Sequence, residues 1–184
     1  MKLVPYSKLK AGDKVNFTTW THEPGVVRAL RDGVLKHKNT IKAKYVAEWC
    51  CLDFETRRPR RINSINYPEL KMEKTNFNKM DFSNLKEEFN ELDYCYSRII
   101  RSSDIDVNQH TNNLKYNQIA LDAFSVKELN SFKIKEYEIY FMNESYEGDE
   151  IAVFKKRIKD YILVEGKTSD KTIFRVVMKI KQIK

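Results

Sequence analysis

Glycine is scarce in this chain, with five residues in 184. So few glycines cannot form a Gly-rich phosphate loop, in which several close glycines let the backbone wrap a phosphate. Cysteine is scarcer still: Cys50, Cys51 and Cys95. Two adjacent thiols and a distant third give neither a metal-ligand spacing nor an even disulfide framework, and this usage fits a reducing, cytoplasmic setting. Cys50 and Cys51 lie in an apolar run, which suits packing rather than chemistry. No apolar run is long enough to span a bilayer. Residues Met1 to Lys8 lack the apolar core of a signal peptide. His22 and His37 read as ordinary surface residues of hairpins, and no metal site is suggested.

The charge that is present is unbalanced. Thirty-four Lys and Arg against 26 Asp and Glu leave a net +8, so the surface attracts acidic partners. The basic residues are spread through strands, and no nucleic-acid-binding motif accompanies them. Charged residues at 33% and apolar ones at 41% are ordinary for a soluble globular protein.

Alternation marks the strands. Val15, Phe17 and Thr19 alternate with polar neighbours, and Val26 to Leu30 forms a second candidate. Asp32-Gly33 is a hairpin signal. Ile41, Ala43, Tyr45, Ala47 and Trp49 alternate along a long strand from Thr40. Residues 64–93 lose alternation and are rich in Asn, Lys and Glu, which reads as an interdomain linker with a short helix capped by Ser83. Strands are expected again at Tyr94–Arg101, around Tyr137–Phe141, at Ile151–Arg157 and Tyr161–Val164, and around Phe174–Ile180. Between the first two lies a helix. Strand, helix and four strands make an α+β pattern, the helix packed on an antiparallel sheet.

The organising stretch runs from Ser102 to Phe124. Asp106, Asn108 and His110 bring a carboxylate, an amide and an imidazole within five residues. Thr111 or Asn112 then caps a helix whose Tyr116, Ile119, Ala120 and Ala123 share one face, with Leu114, Leu121 and Phe124 widening it. A helix apolar over most of its circumference is normally buried. The unpaired amides at its start, near Asn112 and Asn113, offer an anion site.

Asp106-Val-Asn-Gln-His-Thr-Asn-Asn-Leu-Lys-Tyr116 closely resembles the signature of the acyl-acyl carrier protein thioesterases, roughly D-x-N-x-H-V-N-N-x-x-Y. Thr56-Arg57-Arg58-Pro59 resembles the end of that family's first domain. The resemblance implies a double hotdog, each hotdog a long helix wrapped by a curved antiparallel sheet. It begins partway through the first domain, so the expectation is a partial N-terminal hotdog of sheet strands over 1–63, a linker over 64–93 and a complete hotdog over 94–184. An uncovered sheet face invites oligomerisation.

The resemblance also implies an activity: hydrolysis of fatty acyl-acyl carrier protein to free fatty acid, without a cofactor and with acyl carrier protein as the acidic partner. An acyl-CoA thioesterase and a non-catalytic acyl-binding remnant are the alternatives. In the family a Glu-Cys pair commonly follows on a later strand. Glu144 matches the Glu, and Ser145 stands where the Cys would be. Serine is a weak nucleophile unless a base is well placed, so water activated by Glu144 is favoured. His110 would share the proton, Asn108 would hold water or the carbonyl, Asp106 would orient Asn108 or the helix start, and Asn112 and Asn113 would steady the oxyanion.

Overall fold

A computed structural model describes residues 1–53, 55–56, 58–62, 80–85 and 87–183. The chain divides into two compact units, Met1–Phe82 and Ser83–Lys184. Most of the expected linker, residues 64–79 and 86, lies outside the described residues.

The first unit is an antiparallel sheet of β1 (Lys2–Pro5), β2 (Val15–Thr21), β3 (Arg28–His37) and β4 (Thr40–Cys50), in the order β2-β3-β4-β1. Three expectations are corrected here. Asp32-Gly33 is no turn: it sits in the middle of β3, and the chain reverses at Lys38-Asn39, where Lys38 has φ 52°. Gly33 serves packing instead. A Cβ at Gly33 would lie 2.0 Å from the ring of Tyr45, its cross-strand partner. The missing side chain is what lets that aromatic fold across the strand. His22, expected at the surface, is buried, with Nε2 3.1 Å from Oδ2 of the buried Asp32. Cys50, expected to pack, is exposed at the end of β4. Phe17 remains 57% exposed on the apolar face of β2.

The second unit is the α+β arrangement expected. Its sheet order is β6-β9-β8-β7-β5, all antiparallel, from β5 (Tyr94–Ile99), β6 (Phe132–Phe141), β7 (Glu150–Ile158), β8 (Tyr161–Lys167) and β9 (Thr172–Gln182). Helix α1 (Asn113–Asp122) buries Tyr116, Ile119 and Ala120, and Ile139, Val164, Phe174, Val176 and Met178 are buried in the strands. The glycine device recurs: a Cβ at Gly166 would meet the Phe174 ring at 2.3 Å. Phe174 therefore lies across β8, and the Tyr116 ring of α1 sits 5.5 Å from it, centroid to centroid. Leu114 and Leu121 do not join this core; Leu114 is 72% exposed, so α1 is more strongly one-sided than its composition implies. A second helix, α2 (Val126–Ser131), is closed by a Ser125–Glu128 capping box.

The segment before β5 crosses this unit's sheet. Ser83 caps no helix: its N–H and hydroxyl donate to the buried Glu138 of β6 at 3.0 and 2.8 Å. Five residues on, the Glu88 carbonyl accepts from Lys156 of β7, and Phe89 meets Phe154. The two acidic side chains buried on β6 and β8 are both satisfied. Glu138 also accepts from Tyr140 at 2.6 Å, and Glu165 is held by Arg175 and Lys167.

Candidate active site

The Asx-rich stretch folds into a closed loop. Ile105 and Thr111 form an isolated antiparallel bridge, and residues 106–110 arch between them. The arch is set locally. Asp106 Oδ1 accepts from the Asn108 N–H at 2.8 Å, an Asx turn. The Asp106 N–H donates to the His110 carbonyl at 2.9 Å, and Gln109 turns the chain with φ 65°.

His110 stands between two carboxylates. Its Nδ1 lies 3.7 Å from Asp106 Oδ1, and its Nε2 lies 3.5 Å from Glu144 Oε1. Glu144 was expected on a strand. It lies instead in the loop between β6, which ends at Phe141, and β7, which starts at Glu150. Both acids and the imidazole are partly exposed, so water and a substrate can reach them. Catalytic hydrogen bonds are commonly longer without substrate and tighten around it. Asn108, at the loop tip, is exposed beside this row, and its side-chain amide makes no hydrogen bond among the described residues.

Ser145 points the other way. It is completely buried. Its Oγ lies 2.8 Å from Thr111 Oγ1 and 3.0 Å from the Tyr116 hydroxyl. Its carbonyl accepts from the Thr111 N–H at 2.8 Å and from Thr111 Oγ1 at 3.0 Å. This cluster ties together the motif loop, α1 and the loop carrying Glu144, which is how residues 34 apart come to face each other.

The helix start divides the two asparagines. Asn112 is the cap, its Oδ1 accepting from the Leu114 N–H at 2.9 Å. Its own N–H is already donated to the Asp104 carbonyl at 2.8 Å, so it is not the free oxyanion donor expected. The Asn113 N–H has no partner among the described residues and keeps that capacity.

Asp104 is the residue that sequence reasoning passed over. It is 1% exposed and receives Arg98 at 2.7 Å, the Arg101 N–H at 3.1 Å and Lys115 at 3.4 Å. Burial alone would push its carboxyl up; the Arg101 N–H and the charges of Arg98 and Lys115 outweigh that and hold it below the ordinary carboxylate range. Only its place in the Asx-rich stretch hinted at a role. No group of His, Cys, Asp or Glu that could hold a metal exists among the described residues, and none of their helices is long and apolar enough to cross a membrane.

Residues 83–182 match the model of the acyl-ACP thioesterase C-terminal domain. No curated protein matches the chain. Among solved structures, it is similar to a 12:0-ACP thioesterase from Umbellularia californica, with a TM-score of 0.80, 16% identity, and 99% of this chain and 73% of the other covered. It is also similar to an acyl-ACP thioesterase from Bacteroides thetaiotaomicron, with a TM-score of 0.73, 19% identity, and 98% and 74% covered. These likenesses bear out the hotdog fold. The family model spans more than half of the chain, including the motif loop, α1 and Glu144, and the protein therefore belongs to the acyl-ACP thioesterase family.

Proposed function

We propose that this protein hydrolyses the thioester of fatty acyl-acyl carrier protein, releasing free fatty acid in fatty acid biosynthesis, by a water mechanism with Glu144 as base. The observation that carries the reading is the row Asp106–His110–Glu144, with the Ser145 hydroxyl buried away from it. The water oxygen attacks the thioester carbonyl carbon while Glu144 takes a water proton. The tetrahedral intermediate collapses, the C–S bond breaks, and the proton passes from Glu144 or His110 to the leaving thiolate. Acyl thioester and water become fatty acid and thiol, with no cofactor. Asp106 holds the loop and faces the far nitrogen of His110. Asn108 offers its free amide to the carbonyl or the water, and the Asn113 N–H adds a donor for the developing oxyanion. In this reading residues 1–63 are sheet strands of a first hotdog, and 94–184 are the hotdog that carries the chemistry.

The test compares hydrolysis of acyl-ACP and acyl-CoA of equal chain length by the wild type and Glu144→Gln. Faster turnover of acyl-ACP, lost in the variant, is expected. With surface charges screened beyond about 10 Å at 0.1 M salt, binding of the acidic carrier should weaken as salt rises. Preference for acyl-CoA would refute the carrier assignment. Tight binding of acyl-ACP with no turnover would make the protein an acyl-binding module.

A further inference from the structure

We propose that Tyr146 is a positioning residue for this reaction: its phenol fixes the Glu144 carboxylate in the orientation that proton abstraction from water requires. The inference rests on Glu144 being the base. The Tyr146 hydroxyl donates to Glu144 Oε2 at 3.1 Å, while Oε1 lies 3.5 Å from His110 Nε2. The two oxygens of one carboxylate thus have separate duties, one anchored and one turned to the imidazole.

The anchor matters because of where Glu144 sits. No ladder holds it: β6 has ended and β7 has not begun. The terminal torsion of a glutamate is broad and roughly two-fold, so a donor on Oε2 narrows the orientations open to Glu144. Tyr146 is itself held. Its N–H donates to Asp149 Oδ2 at 2.8 Å, and the Lys171 ammonium, from the turn between β8 and β9, lies 5.9 Å from its ring centroid. Tyr146 from its own loop and His110, backed by Asp106, from the motif loop both face the carboxylate; Asp149 and Lys171 act on it through Tyr146. Tyr146 is 44% exposed, and removing one hydroxyl there leaves the core intact.

The experiment compares Tyr146→Phe, Glu144→Gln and the double variant on dodecanoyl-ACP across the acid and neutral pH range. Tyr146→Phe should lower kcat about three- to tenfold with KM little changed. The double variant should be no slower than Glu144→Gln alone, because Tyr146 acts through Glu144. Carbon-13 NMR of the glutamate carboxylates, with the Glu144 signal assigned by its loss in Glu144→Gln, should show that signal displaced in Tyr146→Phe at fixed pH, without any turnover, because the phenol no longer donates to Oε2. A wild-type kcat and an undisplaced Glu144 signal in Tyr146→Phe overturn the inference, as does an additive loss in the double variant. If Glu144→Gln is inactive while Tyr146→Phe behaves as wild type, the base assignment stands and this inference alone fails. If Glu144→Gln keeps the wild-type rate, the base assignment fails and takes the inference with it.

Discussion

Replacing Ser145 with alanine should separate stability from catalysis. The hydroxyl is fully buried between Thr111 Oγ1 and the Tyr116 hydroxyl, at 2.8 and 3.0 Å. Its loss leaves two buried hydroxyls each short of a partner. A buried group deprived of its hydrogen bond costs about 1–3 kcal/mol. Tyr116 keeps the Ser145 N–H at 3.2 Å and Thr111 keeps the Ser145 carbonyl at 3.0 Å, which places the expected loss near ~2 kcal/mol. A domain of about one hundred residues loses roughly 4–5 °C of Tm per kcal/mol, so a fall of about 10 °C is expected by calorimetry or thermal circular dichroism. Turnover, assayed well below the new Tm, should stay within about threefold of wild type, because the backbone bonds joining Ser145 to Thr111 remain. Glu144→Gln should do the reverse, leaving Tm nearly unchanged and lowering kcat by roughly a hundredfold to ten-thousandfold, the worth of a positioned base. A serine nucleophile predicts another pattern: no turnover in a folded Ser145→Ala variant, activity retained in Glu144→Gln, and an acyl ester trappable on Ser145 of the wild type. That result would refute both the water mechanism and the structural role given to Ser145.

Three further outcomes follow from the second unit. Gly166→Ala places a Cβ 2.3 Å from the ring of the fully buried Phe174, so it should cost about 1–3 kcal/mol by overpacking, read as a lowered midpoint in urea. Asp104→Asn should lower activity and stability together, because it removes the buried negative charge that faces Arg98 and Lys115 and exchanges one of its two acceptor oxygens for an NH2 donor; about 1–3 kcal/mol is expected, since both cations keep some water. The third concerns Lys155, which bonds the Ala123 carbonyl at the end of α1 and Glu128 at 2.6 and 2.7 Å. Lys155 and the Ser125 N–H lower Glu128 to about 2. A depressed carboxylate contributes stability that is present above its unfolded pKa, near 4.5, and is lost as pH falls through about 2. Lys155→Met should flatten the stability profile over that window, by a modest amount because Glu128 is half exposed; an unchanged profile would refute the coupling.

Long-period signals were legible in the sequence. β4 and β9 run eleven residues each, and the largely apolar–polar alternation of Ile41 to Trp49 and of Phe174 to Lys181 within them is long enough to mark a strand. The buried face of α1 was visible for the same reason, since Tyr116, Ile119, Ala120 and Ala123 follow the helical repeat. The grouping of Asp106, Asn108 and His110 was local and therefore readable. β1 and α2, at four and six residues, are too short for any period to show.

Tertiary structure decided the rest. Nothing local distinguishes Gly33 in mid-strand from Gly33 in a turn; the Tyr45 ring folded across it does. Likewise, α1 looked apolar over most of its circumference, and only packing shows which leucines the sheet leaves to solvent. His22 became a buried partner of Asp32 because strands β2 and β3 bring both inside. The most consequential decision concerned neighbours in sequence. Glu144 and Ser145 differ in role not by strand alternation but because the Thr111–Ser145–Tyr116 cluster draws one inward and leaves the other beside His110. Contacts between residues thirty or more positions apart carry no local periodicity, so the sequence could name the members of the site while only the fold could set which atoms of each face one another.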